Sequence, residues 1–144
     1  MKLRVVNEWD VLDTVIVGTA ASMGGTPTVA ESYDPKSKEH IRAGTFPTEA
    51  DCQRELNGLA SLLESHGVRV LRPNTLQDVN QLFARDVGAV VEDRLVATRM
   101  IEDRAAEWEG IAPLLSGVSE SHILRPPAGA VSYTHLRAHE TSGY

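Results

Sequence analysis

The chain has 144 residues, 42% of them hydrophobic and 24% charged, with 20 acidic side chains against 14 Lys and Arg and a formal net charge of −6. That length suits one ordinary domain with its own core, and an acidic balance with scattered basic residues leaves no electrostatic footprint for nucleic acid or an anionic membrane. One cysteine excludes an internal disulfide framework, and no run approaches the roughly 20 apolar residues a membrane helix needs, so the cytoplasm is the expected location.

In chain order, a β-rich run at residues 2–6 turns at residues 7–10 into a second apolar run at residues 14–18. Residues 19–47 follow as a long stretch rich in Gly, Pro, Ser and Thr, with a charged patch at residues 34–40; a loop of this length is usually functional or disordered. Thr48 is a natural N-cap with Asp51 three residues on, and Cys52, Leu56, Leu59 and Leu63 recur at the spacing of one helix face. His66 falls in the last turn of that helix and Gly67 supplies its stop. A strand is expected at residues 68–71.

Residues 87–91 and 94–98 flank Glu92 and Asp93, the pattern of two strands joined by a two-residue turn. Helical spacing resumes near Asp103, with Ala105, Trp108, Ala112 and Leu115 on one face, but Gly110 and Pro113 predict a break. A last run at residues 122–125 stops at Pro126 and Pro127. The chain thus spells strand, strand, helix, strand twice: an α/β protein of two successive modules, alike in architecture and not in residues.

Residues 131–141, VSYTHLRAHET, match one reading frame of the transposase adapter used in DNA sequencing libraries. We therefore read 1–130 as the domain and 131–144 as an artefactual tail. His135 and His139, spaced i and i+4 beside Glu140, imitate a metal pair, and the tail reading removes them from consideration.

Two stretches carry a family likeness. Residues 7–18, NEWDVLDTVIVG, resemble the opening strand pair of glycine amidinotransferases, and residues 80–86, NQLFARD, resemble the Asn-x-x-Phe-x-Arg-Asp segment of arginine deiminases. The likeness extends over most of residues 3–115. It implies a guanidine-modifying enzyme of the amidinotransferase and arginine deiminase superfamily, with the pentein fold of five strand-strand-helix-strand modules around a central site. This chain would hold the first module and most of the second, as an N-terminal fragment.

Such enzymes attack the guanidinium carbon of arginine or a related compound with a cysteine thiolate, and a histidine protonates the departing amine. A second amine then takes the amidino group in transferases, whereas water releases it in deiminases and dimethylargininases. Guanidinium is a planar fork of N–H donors that suits carboxylates. By resemblance Asp86 is such a carboxylate, Phe83 packs against the substrate's apolar stem and Asn80 helps hold its polar end, with Arg85 tying the loop down. The bland readings are a surface turn with an Asp86–Arg85 ion pair, a core Phe83 and an Asn80 that caps a turn.

Arg99 and Arg104 have the length to reach a substrate carboxylate, although arginines near a helix start are ordinarily solvated. Cys52 lies early in a helix, where a thiol can be activated, yet its apolar stripe predicts a buried, inert thiol. His40, His66 and His122 match no catalytic position of the family. The resemblance puts the nucleophile and catalytic histidine beyond residue 130, so no catalytic residue is expected in this chain and the fragment is expected to be inactive. It implies a small guanidino substrate such as arginine, no cofactor or metal, and no nucleic-acid or membrane partner. An amidinotransferase is the leading reading, a deiminase-type or dimethylargininase-type hydrolase the alternative, and a non-catalytic pentein-fold binding protein the third.

Overall fold

The computed structural model describes residues 2–32 and 34–127. The 131–144 run, with His135 and His139, lies outside the described residues.

The first half is a β-α-β unit. Strand β1 (Thr14–Ile16) pairs in parallel with β2 (Arg69–Leu71), Val15 opposite Val70, and helix α2 (Glu49–Ser65) makes the crossover. The helix starts where the sequence places it: the Thr48 hydroxyl accepts the Asp51 N–H at 3.1 Å, and its own proton goes to the Asp51 carboxylate at 2.6 Å. It stops at His66, after which Gly67 adopts a φ of 79°, a left-handed conformation that costs glycine little. The buried face is rotated from the predicted stripe. Cys52 and Ala60 are buried while Leu59 is exposed, because the helix also turns Gln53 inward. The Gln53 side-chain carbonyl accepts from the Thr19 hydroxyl at 3.2 Å and the Ala20 N–H at 2.9 Å, fixing the loop after β1.

The second half repeats the arrangement with one strand more. Strands β3 (Gly88–Val91) and β4 (Arg94–Ala97) form the expected hairpin, and β5 (Ile123–Leu124) lies parallel to β4. Between β4 and β5 the chain runs through a 3-10 turn at Glu102–Arg104, the short helix α3 (Glu107–Ile111) and a 3-10 turn at Ala112–Leu115. The predicted break is here: Pro113 enters at the start of the second 3-10 turn. The largest core cluster belongs to this half, with Val87, Leu95, Ile111 and Leu115 buried and Ile16, Trp108 and Ile123 packed around them.

Two expectations are corrected. Residues 2–6 are not a strand of the first module; Val5 instead forms an isolated antiparallel bridge with Glu92 at the β3–β4 turn, giving 2.8 and 2.6 Å hydrogen bonds. That clamp holds Glu92 at a φ of 56°, a position a turn more often gives to Gly, Asn or Asp. The 19–47 stretch also contains helix α1 (Pro35–Ala43). It lacks an apolar stripe, so periodicity misses it. Its ends define it: Asp34 accepts the Ser37 N–H at 2.6 Å, Pro35 opens it, and Gly44 closes it at a φ of 66°.

Gln81 joins the halves. Its backbone carbonyl accepts the Thr19 N–H at 3.0 Å, and its buried side chain bridges the Asn74 carbonyl and the Leu76 N–H. A Cβ on Gly18 would stand 2.1 Å from the Leu82 carbonyl oxygen, and one on Gly110 would stand 2.1 Å from the Gln81 amide nitrogen. The glycine that interrupts α3 in sequence is therefore a point of close approach.

Candidate functional site

The segment between the two halves carries the likeness to arginine deiminases, and it folds as a 3-10 turn at Ala84–Asp86 leading into β3. Phe83 precedes the turn, half exposed, with the Arg85 guanidinium 5.8 Å from its ring centre. Asn80 is exposed, and its side-chain oxygen accepts the Leu82 N–H at 3.1 Å, the turn-capping role of the bland reading. Asp86 is different. It is 5% exposed, so it does not belong to a surface turn, and its main partner is not Arg85.

That partner is Arg104, brought in by the 3-10 turn before α3. The side chain is only 11% exposed and is not a freely solvated one. Its Nη1 donates to Asp86 Oδ2 at 3.0 Å, while Nε and Nη2 donate to the two oxygens of Glu107 at 2.6 and 3.0 Å. Glu107, 2% exposed, is held one helical turn away on α3. Burial pushes the Glu107 carboxyl above its usual range, and the Arg104 charge only partly offsets this. Burial works against the Arg104 charge, but the hydrogen bonds and charges of Glu107 and Asp86 outweigh it and hold the guanidinium more firmly protonated.

The remaining Asp86 oxygen is the anomaly. Oδ1 is buried and accepts no hydrogen bond from the described residues. The Arg85 Nε lies 3.6 Å away, too far for one, on a largely exposed side chain. A buried polar atom without a partner costs roughly 1–3 kcal/mol, more when charged, so such atoms in native folds call for a reason.

A cleft of about 550 Å³ lies alongside. Val87, Thr98 and Ala105 line it. Val87 follows Asp86 in sequence, Ala105 follows Arg104, and the Thr98 hydroxyl donates to the Asp86 main-chain oxygen. Met100, Trp108, Pro126 and Pro127 supply apolar wall, and Arg99 and Arg125 bring two guanidinium groups to it. The Arg125 group sits 5.3 Å from the Trp108 ring centre and pairs with Glu120. None of Asn80, Phe83, Asp86 and Arg104 lines this cleft; the structure joins Asp86 to Arg104 behind the neighbours that form its wall, and brings neither Asn80 nor Phe83 into that pair.

Sequence reasoning missed Glu107, whose one signal was its position three residues after Arg104 and beside Trp108. Cys52 is buried, and burial, with the charges of Glu55 and Asp51, pushes its thiol above the usual range, the reverse of an activated nucleophile. Among the described residues no group of three His, Cys, Asp or Glu side chains could hold a metal ion, and no helix is long and apolar enough to cross a membrane.

Comparison with known proteins bears on the fold. The chain is 40% identical over 80 residues to inosamine-phosphate amidinotransferase 1 of Streptomyces griseus, an alignment that takes in 49% of this chain and 23% of that protein. Its fold matches the structure of inosamine-phosphate amidinotransferase StrB1 from Streptomyces griseus with a TM-score of 0.61 at 25% identity, covering 87% of this chain and 43% of that one. It also matches SxtG, an amidinotransferase of the saxitoxin biosynthetic pathway from Microseira wollei, with a TM-score of 0.59 at 23% identity over 87% of this chain and 42% of that one, a likeness of fold. No family model matches. The α/β architecture is thus that of amidinotransferase structures. The relatives it matches are amidinotransferases, and the chain spans less than half the length of each.

Proposed function

We propose that the full-length protein is an amidinotransferase acting on arginine or a related guanidino compound. A cysteine thiolate attacks the guanidinium carbon, and the bond to the departing amine breaks as a histidine gives that amine a proton. The acceptor amine then attacks the thiouronium carbon, takes the amidino group and releases the thiolate. In this reading the cysteine and histidine lie in modules outside residues 1–130, the ring of five modules encloses the substrate, and residues 1–130 alone turn over no arginine.

In this reading Asp86 belongs to that site. The observation that carries the reading is its buried Oδ1, a carboxylate oxygen without a hydrogen bond beside a cleft. A guanidinium N–H would satisfy it. Phe83 and Asn80, at the mouth of the same turn, contact the substrate only after the later modules cover them.

The test is Asp86→Asn in the full-length enzyme. A charge-assisted hydrogen bond is worth roughly 1.5–3 kcal/mol, so loss of the acceptor together with its charge lowers kcat/KM by about a hundredfold. Activity within about twofold of wild type, on a scale where 1.4 kcal/mol is tenfold, with only the melting temperature reduced, would show that Asp86 serves Arg104 alone.

A further inference from the structure

Arg104 holds Asp86 by its side chain, and the residue just past β4 holds it by its backbone. Asp86 ends the 3-10 turn, and its N–H goes back to the Phe83 carbonyl at 2.9 Å. A carbonyl at the end of such a turn has no partner within the turn itself. The Thr98 hydroxyl donates to the Asp86 carbonyl, and the Thr98 N–H donates to the next one, that of Val87, at 3.0 Å. Resting on the reading of Asp86 as a guanidinium acceptor, we infer that Thr98 is a positioning residue: its hydroxyl fixes the Asp86 peptide, and with it the direction in which the carboxylate leaves the turn.

The place of Thr98 in the fold suits that role. It lies one residue beyond the Gly88–Ala97 pair and extends the β3–β4 ladder to Val87, the residue that joins the turn to β3. Its backbone ties strand to strand, and its side chain ties strand to turn. A hydroxyl has one proton to give, and the Met100 sulfur, 3.2 Å away, is the weaker acceptor, so the proton goes to the Asp86 carbonyl. The carboxylate at the other end of the residue bonds Arg104 through Oδ2, while Oδ1 has no donor among the described residues. A contact at one oxygen leaves the group free to pivot about it. A fixed peptide limits the pivot, which an acceptor needs if it is to meet a planar fork of donors in one geometry.

Valine keeps the branched shape of threonine and the ladder N–H, but its side chain donates nothing. Thr98→Val therefore takes the hydroxyl from the Asp86 carbonyl and loosens the carboxylate without touching it.

The experiment uses the full-length enzyme carrying Thr98→Val, Asp86→Asn or both, beside wild type. Arginine is the donor and hydroxylamine a small acceptor amine, and the readouts are kcat/KM from ornithine release and the melting temperature. Thr98→Val is expected to lower kcat/KM about tenfold, and Thr98→Ser, which keeps the hydroxyl, to recover most of it. Because Thr98 acts through Asp86, its effect should vanish once the acceptor is gone: in the Asp86→Asn background, Thr98→Val should change kcat/KM by less than about twofold. If Thr98→Val does not fold, Thr98→Ala against Thr98→Ser, which differ by the hydroxyl alone, carries the same comparison in both backgrounds. An equal loss with and without Asp86, or a lower melting temperature with unchanged kcat/KM, would overturn the proposal and make the hydroxyl a brace of the hairpin. The loss in Asp86→Asn alone would then leave the wider reading intact. Normal kinetics in Asp86→Asn would remove both.

Discussion

Between β1 and β2 runs a 17-residue helix with a sequence-encoded cap; between β4 and β5 runs a five-residue helix broken by Pro113, and it is the second that lies at the main core. The long helix buries Cys52 and Ala60 and leaves Leu59 and Leu62 exposed, whereas the short one buries Glu107, Gly110 and Ile111. Local propensity and tertiary packing are separate sources of helical order. The first half stands on the former, with its Thr48 cap and acidic first turn. The second half stands on the latter and packs around an ion-paired trio of Asp86, Arg104 and Glu107. A buried ion pair is weak evidence for stability, because desolvation takes back most of the attraction. Under the proposed function, the cluster in the second half answers to a ligand more than to folding.

The contrast can be broken by substitution. Arg104→Met should destabilise the protein by roughly 3–5 kcal/mol, since it leaves Asp86 and Glu107 buried without their cation. Thr48→Ala, which removes the best cap in the first half, should cost only about 1 kcal/mol. Denaturant melts of the two variants check this. Equal losses would mean that the two halves are held by the same kind of interaction.

Acid sharpens the contrast with a smaller effect. Asp51 is held below the usual carboxylate range by the Thr48 hydroxyl and then Arg54, and Asp34 by the Ser37 N–H. Groups with a lowered folded pKa stabilise the fold above their unfolded pKa and lose that contribution as pH falls through the folded one. Glu107 is shifted the other way. Its folded form binds the proton more readily than the unfolded chain, so its own contribution falls as pH rises between the two values and recovers in acid. Amide exchange between about pH 5 and 3 should therefore quicken first at the starts of α1 and α2, before the amides of α3. Earlier opening at α3 would reverse the assignment.

How much of this was legible follows the same division. The α2 cap, the Gly67 stop, the turn at Glu92 and Asp93, and the break at Pro113 are local signals, and the structure places each where the sequence does. Helix α1 was equally local, written in Asp34, Pro35 and Gly44, but its missing apolar stripe hid it from a reading led by periodicity. Residues 2–6 have strand composition, and only a long-range contact decides that Val5 pairs with Glu92. The site was half visible. Asp86 was marked by its resemblance, while the burial of Glu107 and the pairing of Arg104 depend on how the turn before α3 meets Asp86, which no spacing of charges specifies. Gly110 reads as a helix defect in sequence and becomes intelligible only once Gln81 is seen against it.

The most direct measurement is a structure of the full-length protein with arginine, or a guanidino compound it cannot turn over, bound at the site. The account predicts a guanidinium nitrogen at about 2.7–3.0 Å from Asp86 Oδ1, with Arg104 still bonded to Asp86 Oδ2 and Glu107. A ligand seated elsewhere, with both Asp86 oxygens taken up by Arg104 or by the later modules, would contradict it.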